Sequence, residues 1–159
     1  MSKIKLLILL LISNFFISCA SQNNNQLHQF NINYIGGGAD GYLLNSLLKS
    51  HLIAIGSYDK NSEYSIDASI NHNRAFYITN TDNTSNRDRV SSTLQLKIVH
   101  RELKCDAFTF KEEVSQFYIV ANANVFTSND AALEKIKRDN TENLIKIFLN
   151  DLRKKNLNC

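Results

Sequence analysis

Apolar and polar residues alternate over several stretches of this chain, and elsewhere apolar residues recur every three or four positions. Phe30, Ile32 and Tyr34 alternate with Asn31 and Asn33, which predicts a strand over 29–35. Gly36-Gly37-Gly38 breaks it, and Asp40 stands where a helix cap belongs. Leu43, Leu44, Leu47, Leu48, Leu52 and Ile55 then keep helical spacing, so an amphipathic helix is expected over about 40–54, ending near Gly56. Tyr64, Ile66, Ala68 and Ile70 return to alternation in a half-buried strand, which Phe76 and Ile78 extend past an expected kink near Asn71–Asn73. After a polar loop over Asn80–Asn86, Leu94, Leu96 and Ile98 mark a strand over 89–103. Lys104-Cys105-Asp106 suits a hairpin turn. Phe108 and Phe110 open the next strand, which resumes at Phe117-Tyr118-Ile119-Val120 and reaches about Phe126. Ser128 or Asn129 is placed to cap a final helix whose apolar face is Ala132, Leu133, Ile136, Leu144, Ile147, Phe148 and Leu152. Arg153-Lys154-Lys155 would oppose the negative end of its dipole.

The predicted order is β-α-β-β-β-α. Short connections make the later strands antiparallel neighbours, and two helices suffice to cover one face of the sheet. The fold class that follows is α+β, a two-layer sandwich with a mainly antiparallel four-stranded sheet and both helices on one face.

The amino terminus has a different character. Lys3 and Lys5 precede the apolar run Leu6–Ile12, which resumes as Phe15-Phe16-Ile17 before Ser18-Cys19. This is the three-part pattern of a secretory signal, and the run is too short to span a bilayer. Phe16-Ile17-Ser18-Cys19 resembles a lipobox. Residues 1–18 are therefore read as a lipoprotein signal peptide, Cys19 as the acylated residue, 19–28 as a polar lipidated tether and 29–159 as one domain. Ala20 follows the cysteine where an inner-membrane retention signal would have Asp, which points to the outer membrane.

Charge and motifs narrow the function classes. Losing Lys3 and Lys5 lowers the formal net charge from +3 to +1, which leaves no nucleic-acid footprint. Gly36-Gly37-Gly38-Ala39-Asp40-Gly41 fits the spacing of a dinucleotide-binding loop, and Asp59 follows at about the distance of a ribose-binding acid. The next strand alternates instead of running continuously apolar, and Asp40 would put a negative charge beside a pyrophosphate, so the segment is read as a turn before a helix. His28, His51, His72 and His100 fall on separate elements without metal-ligand spacing. No catalytic motif and no cofactor site is found, and the chain is not expected to be an enzyme. Two basic clusters remain as candidate anion contacts: Arg87 and Arg89 around Asp88, and Lys135, Lys137 and Arg138 on the final helix.

The lipobox with its tether, the β-α-β-β-β-α order and the run from Asn86-Arg87-Asp88-Arg89-Val90 through Thr93–Ile98 and Phe117–Val120 resemble the LPS-assembly lipoprotein family LptE. So do Ser128-Asn129-Asp130-Ala131-Ala132 and Asn143–Leu149. The resemblance covers residues 88–152 best and 29–80 by pattern. It implies a lipoprotein of the outer membrane, facing the periplasm and seated in the lumen of an LptD-like barrel as a plug. Such a protein assists assembly of that barrel and contacts lipopolysaccharide, for which Arg87, Arg89, Lys135, Lys137 and Arg138 are the candidates. Two alternatives are an auxiliary lipoprotein of an ABC-type lipid transporter and a tethered structural lipoprotein without a ligand.

Of three cysteines, Cys105 and Cys159 remain once Cys19 is acylated. An exported domain meets oxidising conditions. If the last helix packs back along the preceding strand, its roughly 37 Å and a tail of up to about 20 Å return Cys159 towards the turn at Cys105. A disulfide between them is geometrically allowed.

Overall fold

The computed structural model describes residues 28–78, 86–119, 126–157 and 159. The expected signal peptide, Cys19, nearly all of the expected tether and most of the Asn80–Asn86 loop lie outside the described residues. The elements are β1 (Phe30–Gly36), α1 (Ala39–Ala54), β2 (Tyr64–Ile78), β3 (Asn86–His100), β4 (Cys105–Ile119) and α2 (Phe126–Leu152). The sheet order is β1-β2-β3-β4, with β1 parallel to β2 and the other pairs antiparallel. This is the expected α+β sandwich.

Alternation builds the core. Ile66, Ala68 and Ile70 of β2 stand opposite Ile98, Leu96 and Leu94 of β3, and Leu96 in turn stands opposite Phe110 of β4. Directly opposed residues share a face, so these form one apolar surface. Leu44, Leu48 and Leu52 of α1 and Leu144, Ile145, Phe148 and Leu149 of α2 close over it. Ile145 and Leu149 widen the apolar face expected from the sequence, because α2 packs against α1 as well as the sheet. The Phe148 ring meets those of Phe108 and Phe110, while Asn140 reaches Gln116 further along β4. α2 therefore runs back along β4. That returns the chain end to the start of the strand, where Cys105 and Cys159 form a disulfide with a Cα–Cα distance of 5.9 Å.

Several boundaries differ from expectation. β2 has no break at Asn71–Asn73, since every residue from Tyr64 to Ile78 is in register with β3. β3 occupies 86–100 instead of 89–103. Arg101–Lys104 make the hairpin turn, with Lys104 at φ 51° and its N–H bonded to His100 O, so Cys105 is the first residue of β4. β4 continues through Lys111-Glu112-Glu113, whose side chains all meet water on this edge strand, and it is described as far as Ile119; residues 120–125, over which the sequence predicts its continuation, lie outside the described residues. α2 starts at Phe126, so Ser128 and Asn129 lie inside its first turn, and it ends before Arg153-Lys154-Lys155. Gly38 is the residue before α1 and supplies no side-chain cap. Asp40 sits in the first turn, where its carboxylate meets Lys137 Nζ at 3.5 Å.

The glycine-rich turn serves packing. A Cβ at Gly37, which has φ 112°, would lie 2.6 Å from Ile70 O, and one on Gly41 would lie 2.9 Å from Gly36 O. These are separations that side-chain atoms do not tolerate, so the residues are fixed by the close approach of α1 to the sheet.

Strand β1 departs from its sequence pattern. A bulge lies between Ile32 and Tyr34. Ile32 packs against the core, whereas Tyr34 is 63% exposed and lies on the face away from the helices, with Asp67, Gln95 and Lys97. The extra residue, Asn33, reverses the phase of the strand.

Candidate functional site

The helix-covered side of the sheet changes chemistry along its length. On β2 the alternating positions that hold Ile66, Ala68 and Ile70 continue as His72 and Arg74. On β3 those of Ile98, Leu96 and Leu94 run back to Ser92, Val90 and Asp88. β4 contributes Gln116 and Tyr118 opposite Val90 and Asp88. Towards the end of the sheet formed by Ile78, Asn86 and Ile119, α2 thus rests on a polar seam.

Asn140 and Thr141 of α2 are wholly buried there. The Asn140 amide donates to Ser92 Oγ at 2.9 Å and to Val90 O at 3.2 Å, and its Oδ1 accepts from Gln116 Nε2 at 2.9 Å. Thr141 Oγ1 donates to Lys137 O at 2.7 Å. Ser92 Oγ also lies 2.7 Å from His72 Nδ1, while the buried His72 Nε2 has no hydrogen-bond partner among the described residues. Burial holds the His72 imidazole below its ordinary pKa, with Asp40 and Glu134 opposing the shift and Lys137 reinforcing it.

Asp88 anchors the outer part of the seam. Its side chain is 1% exposed, and Oδ2 accepts both from Arg74 Nε and from the Tyr118 hydroxyl, the latter at 3.0 Å. Oδ1 has no partner. Burial and the bond to Asp88 raise the Tyr118 pKa, and the same carboxylate raises that of Arg74. The sequence hid this pair because Asp88 lies between two arginines that belong to the other face, and Arg74 is 14 residues away. The available signal was the phase of Asp88, which is that of Val90 and Leu94.

The basic residues singled out in the sequence separate into two places. Alternation turns Arg87 and Arg89 away from buried Asp88 and Val90, onto the uncovered face, where Arg89 Nη2 stands 3.9 Å from Glu113. Lys135, Lys137 and Arg138 belong to α2 on the other side of the sheet. Each already meets a carboxylate: Lys135 meets Asp139 at 2.6 Å, Lys137 meets Glu134 at 3.1 Å and Asp40 at 3.5 Å, and Arg138 meets Glu142 at 3.5 Å. The structure does not bring the two clusters together. Among the described residues no group of His, Cys, Asp or Glu is placed to hold a metal ion, and no helix is long and apolar enough to cross a membrane.

The uncovered face carries polar and charged side chains along its middle, with Ala68, Leu96 and Phe110 among and beneath them. A shallow depression of about 360 Å³ lies there, bordered by Tyr34, Asp67, Ser69, Gln95, Lys97, Thr109 and Lys111. Asn33 Nδ2 donates to Asp67 Oδ1 at 2.8 Å, and Lys97 Nζ pairs with Asp106 at 2.8 Å. Towards one end of β4, Phe117 and Ile119 are 57% and 71% exposed and stand opposite Arg89 and Arg87.

No family model and no curated protein matches this chain. Solved structures do. A minor lipoprotein from Acinetobacter baumannii superposes with a TM-score of 0.59 at 14% identity, over 80% of this chain and 92% of that one. A lipoprotein from Caulobacter crescentus gives 0.56 at 15% identity, over 79% and 88%. Rare lipoprotein B from Shewanella oneidensis gives 0.53 at 8% identity, over 76% and 95%. Identities this low define the fold alone: this chain has the α+β fold of those lipoproteins, the LptE-like fold.

Proposed function

We propose that this chain is a lipid-anchored outer-membrane protein that acts without catalysis, as plug and assembly partner of an LptD-like barrel, and assists delivery of lipopolysaccharide to the outer leaflet. The observation that carries the reading is the LptE-like fold presenting one uncovered sheet face with polar side chains along its middle. A surface of Asp67, Gln95, Lys97 and Thr109 suits the polar interior of an outer-membrane barrel. The lipobox ending at Cys19 supplies the anchor. Among the five basic candidates Arg87 and Arg89 fit a lipopolysaccharide phosphate best, because Arg89 meets Glu113 only at 3.9 Å, whereas Lys135, Lys137 and Arg138 meet carboxylates at 2.6, 3.1 and 3.5 Å.

The test is recovery of the tagged protein from outer membranes in detergent. A barrel that stays bound supports the reading. Recovery with an inner-membrane transporter instead supports an auxiliary lipoprotein of an ABC-type lipid transporter. Depletion should lower both folded barrel and surface lipopolysaccharide, and unchanged levels of both would reject the proposal. Cys19→Ala should move the protein out of the membrane fraction. Charge reversal at Arg87 and Arg89 together should weaken lipopolysaccharide binding without unfolding the domain.

A further inference from the structure

Three features of the uncovered face converge on Tyr34. The bulge at Asn33 turns its side chain out of the core phase that Phe30 and Ile32 follow. Bulges commonly re-aim a side chain in this way. The missing side chain at Gly36 then lets the ring lie down along the sheet. A Cβ at Gly36 would stand 3.3 Å from Tyr34 Cε1, 3.2 Å from its hydroxyl oxygen and 3.2 Å from Ser69 Cβ. Asn33 itself donates to Asp67, fixing a carboxylate beside the ring. The result is an aromatic ring 63% exposed at the rim of the depression.

We propose that this is a binding site for a short oligosaccharide, with one sugar ring stacked on Tyr34. A sugar presents an apolar C–H face bordered by hydroxyl groups, and the site offers the complement of both. Tyr34 supplies the apolar surface. Asp67 accepts hydrogen bonds, Lys97 and Lys111 donate them, and Gln95, Thr109 and Ser69 do both. Asn33 donates to Asp67 Oδ1 and Lys97 Nζ pairs with Asp106, which leaves Asp67 Oδ2 free to accept and further Lys97 N–H groups free to donate. At about 360 Å³ the depression belongs at the small end of ligand sites, which suits one or two sugar rings. A planar aromatic ligand fits less well, because no second apolar wall would cover its outer face. The site shares Asp67, Gln95, Lys97 and Thr109 with the face that the barrel reading sets towards the barrel interior, so the titration is run without a barrel and its outcome is independent of that reading.

The experiment is a titration of the unlipidated full chain, Cys19→Ala, with chitotriose and separately with maltotriose, followed by amide chemical shifts. Saturable shifts at Tyr34, Asp67, Gln95 and Thr109 with either glycan are expected. Tyr34→Ala should weaken binding by roughly 2- to 12-fold, the range for an aromatic contact, and Tyr34→Phe should keep it. Gly36→Ala should weaken it too, since the new methyl displaces the ring. Tyr34→Trp provides a reporter in a chain without tryptophan, and its emission should change on saturation. Absence of saturable shifts up to about 20 mM of both glycans, far weaker than the millimolar end of specific binding, overturns the proposal. So does a folded Tyr34→Ala variant that binds like the parent, or a shift footprint elsewhere on the domain.

Discussion

Replacing Arg74 by Met would isolate the buried charge of Asp88. The substitution removes the guanidinium and keeps an unbranched apolar stem against the Tyr118 ring, whose centroid lies 5.8 Å from Arg74 Cζ. Breaking a fully buried ion pair by deleting one partner costs about 3–5 kcal/mol, because the remaining charge is left desolvated. Two features of this pair lower the figure. The Arg74 side chain is 48% exposed, so water takes part of its place, and the Tyr118 hydroxyl still donates to Oδ2. The expected loss is therefore about 2 kcal/mol. With a urea slope of about 1.5 kcal/mol/M, the unfolding midpoint should fall by roughly 1.3 M. Arg74→Lys keeps the charge and should lose less. Arg89→Ala, on the other face with a loose partner at 3.9 Å, should cost under about 0.5 kcal/mol. The assay is equilibrium urea unfolding with the disulfide intact. A midpoint for Arg74→Met within error of the Arg89→Ala midpoint would refute the claim that Asp88 depends on Arg74 for its compensation.

The remaining predictions concern the seam, the chain end, the turn and the core. The folded-state pKa of His72 lies below its ordinary 6.5, so the fold favours neutral imidazole; its contribution is present above about pH 6.5 and is lost as pH falls through the depressed value. Unfolding midpoints should thus drop between neutral and mildly acid pH, and His72→Gln should flatten that dependence; an identical pH profile in the variant would count against it. Cys105–Cys159 closes a separation of 54 residues. Loop-closure entropy then gives roughly 4 kcal/mol, to be read from unfolding midpoints with and without reductant. Gly37→Ala should destabilise by more than about 2 kcal/mol, since its Cβ would meet Ile70 O, while Gly38→Ala, with φ 57° and no atom within 4 Å of a new Cβ, should cost about 1 kcal/mol. Phe148→Ala, at 0% exposure between the sheet and the helices, should cost about 3–5 kcal/mol in the same assay.

Much of the fold was legible because burial is periodic. Ile66, Ala68 and Ile70 and Leu94, Leu96 and Ile98 could share a face only as strands, and Leu44, Leu48 and Leu52 only as a helix. Short connections then required antiparallel pairing of β2, β3 and β4. Tertiary structure decided what periodicity leaves open. Asn71 and Asn73 read as a kink, yet pairing with β3 holds them in an unbroken strand with their side chains in water. Asp88 read as part of an exposed basic cluster, but β3 buries it and a residue from another strand neutralises it. Arg87 and Arg89 and the α2 cations looked alike in sequence and lie on opposite sides of the sheet. Tyr34 had the phase of a core residue. A single bulge, invisible to alternation because it depends on the register with β2, put it on the uncovered face. Local periodicity sets which residues need burial, whereas register and partner strands, fixed only when distant segments meet, set which face each residue finally occupies.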